Sequence, residues 1–213
     1  MIKILPIILC MVSLVARAEM LQITVADEKG ASLSNAVVYA IPSQPVPTEG
    51  LERVEIEQKN EDFQPFISVV PRGTTTYFPN HDGIGHHVYS FSETKTFELP
   101  LSEVELTLPI EFDEAGIITV GCNIHDWMVA YIKVVDTPYY TLTDEDGRAM
   151  LENLPAGEYT LHIWHPGMTD AEGISQTMEL GPGSANQNEF SLAIRPEYFW
   201  KPIHPPENEE EEY

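Results

Sequence analysis

Cysteine is nearly absent from this 213-residue chain: Cys10 and Cys122 are the only two. Positive charge is scarce as well, with 11 Lys and Arg against 34 Asp and Glu. No apolar run reaches the roughly twenty residues that a spanning helix needs. Each shortage excludes something. Cys10 lies in "MIKILPIILCMVSLVARAEM", where Lys3, the apolar run Ile4–Val15 and the small-residue end at Ala18 form a secretory leader pattern. Residues 1–18 are therefore expected to be a cleaved signal peptide and the mature protein to be periplasmic, with no integral membrane segment. Cleavage leaves Cys122 alone, so no internal disulfide can form, although the compartment would permit one. A lone exposed thiol there is an oxidation hazard, whereas a metal-bound thiolate is protected. The leader also takes Lys3 and Arg17 with it, which leaves nine cations. Nucleic acid and anionic membrane surfaces are poor partners for such a chain, and a basic protein partner is a better one.

Helix signals are also few. Seventeen prolines, thirteen glycines and many short β-branched runs point to an all-β fold. "LQITVADEKGASLSNAVVYAIP" reads as strand, turn and strand, an N-terminal β-hairpin region over 19–50 that ends in the proline-rich "PSQPVPTEG". A second block, 51–136, offers "FISVV", "TTTYF", "HHVYSF", "KTFEL", "VELTL", "GIITVGC" and "VAYIKVV", enough for a small two-sheet sandwich. A third, 137–196, reads as strand, acidic turn, strand, "LPAGEY" turn and strand, with "TMEL" and "EFSLAI" completing a sandwich. Residues 197–213 end in "PPENEEEEY", an acidic tail with the composition of disorder.

The chemistry gathers in "GCNIHDWM". Ile118, Val120 and Cys122 fall on one face of a strand by period two, which places the thiol at the inner end of the strand. His125 rides on the following loop and Met128 opens the return strand. Thiolate, thioether and imidazole together favour copper, and two His with one Cys and a long axial Met is the electron-transfer copper arrangement. The second histidine must come from "NHDGIGHHVYSF", as His86 or His87. The residues alone also leave room for a zinc site or an inert buried cysteine. Haem attachment fails for want of a second cysteine. His81 reads as an exposed turn residue beside a capping Asn80; His162 and His165 read as structural or interface residues; His204 reads as solvent-facing. No nucleophile elbow or HExxH helix is present, so an enzyme is not expected.

"GHHVYSF" followed by "GCNIHDWM" resembles the cupredoxin family of blue copper proteins, with the C-x-x-H-x-x-M spacing of an amicyanin-type loop. The resemblance spans about residues 64–136. It selects His86 as the first ligand, with His87 at the polar position and Val88 after it, and maps the remaining ligands onto Cys122, His125 and Met128. It implies a cupredoxin Greek-key β-sandwich, one type 1 copper ion, and single-electron traffic with a periplasmic redox protein such as a cytochrome or dehydrogenase. A copper carrier or store, or a scaffold with an accessory copper site, would use the same ligands. The loop departs from the family where Ile124 and Asp126 replace the usual prolines around the histidine. More widely, "FPNHD", "VVDTPYY" and "LPAGEYTLHIWHP" look like periplasmic methylamine-utilisation-type or plastocyanin-like proteins. The third block is similar to carboxypeptidase-regulatory-like, prealbumin-type modules.

Overall fold

The computed structural model describes residues 19–101, 108–182, 184, 186–197 and 200–201. The expected leader, the expected "VELTL" strand up to residue 107, the acidic run at 205–213 and His204 lie outside the described residues. The all-β expectation holds: among the described residues the regular elements are strands. In chain order these are β1 (Glu19–Asp27), β2 (Val37–Pro42), β3 (Val54–Glu55), β4 (Glu57–Gln58), β5 (Phe63–Gln64), β6 (Ile67–Pro71), β7 (Thr74–Tyr77), β8 (Val88–Ser92) and β9 (Lys95–Glu98). They continue with β10 (Ile110–Phe112), β11 (Gly116–Cys122), β12 (Val129–Val135), β13 (Tyr140–Leu142), β14 (Arg148–Leu154), β15 (Gly157–Trp164), β16 (Ile174–Leu180) and β17 (Gln187–Leu192).

One sandwich is built from the two ends of the described chain. Its sheets run β14-β1-β17 and β13-β2-β15-β16. Leu21, Ile23 and Val25 alternate inward from β1 and meet Val38 and Ala40 of β2 and Tyr159, Leu161 and Ile163 of β15 in one core. The 19–50 segment therefore does not form a hairpin of its own. β1 pairs with β14 and β17, β2 pairs with β13 and β15, and the "DEKG" turn leads to a crossover between sheets. Alternation shows that a strand has one apolar face, not which sheet it joins, and here each strand finds its partners in residues 140–192. The junction is tight. Val25 donates its N–H to the Gly147 carbonyl at 2.7 Å, and a Cβ at Gly147 (φ +72°) would collide with the Val25 carbonyl oxygen.

The second sandwich lies between those two segments in sequence. Its sheets run β6-β12-β11-β8-β9 and β10-β7-β3. The core takes Val88 from β8, Ile118, Val120 and Cys122 from β11, and Ala130, Ile132 and Val134 from β12, against Phe78 and Phe112.

A third apolar layer joins the two. Val37 and Tyr39 of β2 and Trp164 of β15 pack on Ile67 of β6 and Val135 of β12. This explains the apolar run "VVYAI" and the consecutive burial of Ile132 to Val135: β2 and β12 are buried on both faces. Lys133 sits in this layer, 7% exposed, with its ammonium 5.7 Å from the Tyr39 ring centre and 5.8 Å from that of Trp164. Burial pulls its pKa below the usual lysine range, and the Glu172 carboxylate opposes that shift. Among the described residues no carboxylate lies within ion-pair distance of Lys133.

The folded state therefore holds the Lys133 proton less tightly than the unfolded chain does, and the charge penalty eases as pH rises toward the unfolded value. Lys133→Met should be at least as stable as the parent at pH 7. Its advantage should shrink as pH climbs toward about 10, and chemical denaturation at a series of pH values checks both the sign and the trend.

Candidate metal centre

The register of β8 against β11 builds the centre. Tyr89 stands opposite Gly121 and Val88 opposite Cys122, and the ladder continues as Asn123 N–H donates to the His87 carbonyl at 3.0 Å. Val88 and Ser90 point into the core, so His86, two residues before Val88, follows them inward and is buried. His87 takes the opposite side, where its Nε2 lies 2.8 Å from Glu98 Oε1. The loop after Cys122 closes on itself: Met128 N–H donates to the His125 carbonyl at 3.0 Å, and Cys122 N–H to the Met128 carbonyl at 3.2 Å. That fold-back brings His125 over the thiol.

The donor atoms form a triangle. His86 Nδ1 and His125 Nδ1 are 3.1 Å apart, and each lies 3.9 Å from Cys122 Sγ. Among the described residues this is the one group of three His, Cys, Asp or Glu donors so placed. The point equidistant from all three, the circumcentre of a 3.1, 3.9, 3.9 Å triangle, lies about 2.1 Å from each. Metal bonds run about 2.0–2.1 Å to imidazole nitrogen and about 2.3 Å to thiolate, as zinc illustrates. The residues present therefore fit one metal ion, and a soft thiolate with two imidazoles fits copper. Met128 is buried in the core cluster that holds Cys122, and both residues line one open surface groove.

Three contributors are not evident from motif spacing. Asp82 Oδ2 lies 2.9 Å from His86 Nε2. A carboxylate there can only accept, so Nε2 carries the hydrogen and His86 Nδ1 presents a bare lone pair to the triangle. Asp82 in turn accepts the N–H groups of Asn60 and Glu61, and its own N–H donates to Asn80 Oδ1 at 2.9 Å. Burial works to raise the Asp82 pKa, but the hydrogen bonds from Glu61, His86 and Asn60 outweigh it and hold the carboxyl below its usual range. Trp127 donates its Nε1–H to the Glu61 carbonyl at 3.1 Å, with its ring 5.2 Å from that of His125. The one sequence signal for Asp82 is its place four residues before His86.

The other histidines are elsewhere. His81 is exposed in its turn. His162 stacks on Tyr39 at 4.7 Å and 7° in the layer between the sandwiches. His165 is buried beside Trp200, accepts the Gly167 N–H on Nδ1, and is pushed by burial down to a pKa of about 4.

No family model and no curated protein matches this chain. Solved structures that resemble part of it are cupredoxins and a copper enzyme. A Cu-containing nitrite reductase from Thermus scotoductus is 24% identical, with a TM-score of 0.38, over 45% of this chain and 27% of that one. A purple cupredoxin from Nitrosopumilus maritimus is 22% identical, with a TM-score of 0.34, over 39% of this chain and 99% of that one. A Cu(I) amicyanin mutant is 15% identical, with a TM-score of 0.36, over 46% of this chain and 99% of that one. This chain thus spans about a quarter of the reductase's length, and each likeness covers less than half of this chain. What the site can bind follows from the donor triangle itself.

The two histidines of "GHH" provide a direct check on that triangle. His86→Gln should lower affinity for copper or zinc by orders of magnitude, and His87→Gln should leave it within about twofold, because His87 faces Glu98. Metal competition titrations against a chelator of known affinity measure both.

Proposed function

We propose that this protein is a periplasmic type 1 copper protein that carries single electrons between redox partners and catalyses no reaction of its own. The triangle of His86 Nδ1, His125 Nδ1 and Cys122 Sγ carries this reading. His86, Cys122 and His125 would hold the ion together with Met128, which lies with Cys122 in one core cluster. Copper, when bound, supplies the one-electron redox couple.

The chain's own residues do the rest. Cys122 would hold the ion as a thiolate, so metal uptake would release a proton and depend on pH. Asp82 fixes the ring of His86. Ile118, Val120 and Ala130 pack with Cys122 in one buried cluster, so the sulfur is covered on its core side. Strands β8, β11 and β12 hold the donors on a hydrogen-bonded sheet, so they need to move little between oxidation states. With four protein donors the ion would have no open position for substrate, and electron transfer needs none.

The surface suits a protein partner. Tyr89 and Phe91, 5.0 Å apart, line an open groove of about 510 Å³ whose other walls include Cys122, Met128 and Asp126, and Phe91 is 76% exposed. Ile124, 48% exposed, lies beside His125 on the ligand loop. The acidic chain favours a partner with basic residues around its own redox centre. Export to the periplasm would run through the residue 1–18 leader, whose Lys3, apolar run and small-residue end at Ala18 carry this part of the reading.

Copper-loaded protein should show the intense visible band of thiolate-to-copper charge transfer and exchange electrons rapidly with itself. Cys122→Ser should abolish the band. A copper-loaded parent protein without that band rejects the proposal, and slow self-exchange with tight Cu(I) binding assigns the site to copper carriage instead.

A further inference from the structure

β4 and β5 are only two residues long each, and a tight turn joins them. Asn60 and Glu61 both adopt left-handed backbone, φ +57° and +55°. Asn tolerates this conformation; Glu, with its longer side chain, adopts it less readily. So short a hairpin does not hold such a turn unaided. It is anchored from outside: Phe63 packs in the core against Phe78, and buried Gln58 donates its side-chain N–H to the Phe78 carbonyl. Gln58 N–H also donates to the Pro79 carbonyl at 2.8 Å, and His81 N–H to the Gln58 carbonyl at 2.9 Å.

The turn aims two consecutive N–H groups at one acceptor, as turns that hold anions do. Here the anion is a side chain. Asn60 N–H donates to Asp82 Oδ1, and Glu61 N–H donates to Asp82 Oδ2 at 2.9 Å. Oδ2 also receives His86 Nε2–H. On its other side, the Glu61 carbonyl accepts Trp127 Nε1–H, and Trp127 belongs to the loop that carries His125. One residue's backbone therefore reaches both imidazole-bearing segments: its N–H through Asp82 to His86, its carbonyl through Trp127 to the His125 loop.

We infer that the Asn60–Glu61 turn is a positioning element that sets the orientation of both imidazoles at the metal centre. This rests on the reading of that centre as a copper site. The turn's hydrogen bonds go to Asp82 and come from Trp127, one step removed from the donor atoms. Its effect passes through Asp82, which fixes the His86 tautomer and ring plane, and through Trp127, which fixes the height of the loop. Left-handed φ at both central residues is what a two-residue hairpin turn of this kind uses, and here the same conformation turns both N–H groups toward Asp82.

Nuclear magnetic resonance of the metal-free parent protein should find His86 as the Nε2–H tautomer. Zinc, which binds without redox chemistry, is the affinity probe. Asp82→Ala and Trp127→Phe should each weaken zinc binding about 10–100-fold, and the double variant should depart from the sum of the two because both act through Glu61. An Nδ1–H tautomer in the parent overturns the inference, a result that does not depend on any variant folding. Folded Asp82→Ala with zinc affinity within about twofold of the parent also overturns it. Zinc binding with these dependences, in a protein whose copper form lacks the charge-transfer band, supports the turn's role and rejects electron carriage.

Discussion

Everything at the centre depends on how β8 lies on β11. With Val88 opposite Cys122, the side-chain alternation of both strands sends His86 and the thiol to the same buried side. A slip of one residue would send His87 inward and place Glu98's partner in the core. The register is held by what each strand buries: Val88 and Ser90 on one, Ile118, Val120 and Cys122 on the other. The same apolar set that closes the sandwich thus selects which histidine meets the sulfur. Packing and donor geometry are one constraint, and a core substitution on β8 or β11 acts on both.

That constraint is stiffened from outside. β12, which follows directly after Met128, is buried on both faces because the terminal sandwich covers the side that the core around Cys122 leaves open. Its Tyr131, Lys133 and Val135 meet Tyr39 and Trp164 across the junction, while Ala130, Ile132 and Val134 fill the core beneath the ligands. The strand carrying one end of the ligand loop is therefore clamped between two sandwiches. Segments that never approach the sulfur limit how far the loop can shift, and small donor movement is what one-electron chemistry at a fixed site requires.

The sequence and the structure inform one another unevenly. The Cys122, His125 and Met128 spacing was readable because those residue types are chemically rare and the strand before them alternates cleanly. The choice of His86 over His87 needed either a resemblance or the pairing of Val88, since adjacent histidines look alike until one strand is laid on another. The grouping of 19–42 with 140–192 was hidden because strand patterns record faces, not partners. Asp82, Asn60 and Glu61 were hidden for a further reason: their work is done by a carboxylate and two backbone N–H groups about twenty residues apart in sequence, which no local spacing announces. Lys133 is the opposite case, a cation inside an apolar run whose burial makes sense only once a second sandwich is placed against it.

The central claim is that one copper ion sits within bonding distance of a single sulfur and two imidazoles. X-ray absorption at the copper edge of the loaded protein measures this directly. The account predicts one short copper–sulfur contact and two copper–nitrogen contacts, with Cys122→Ser removing the sulfur. A first shell of nitrogen and oxygen alone in the parent protein would contradict it.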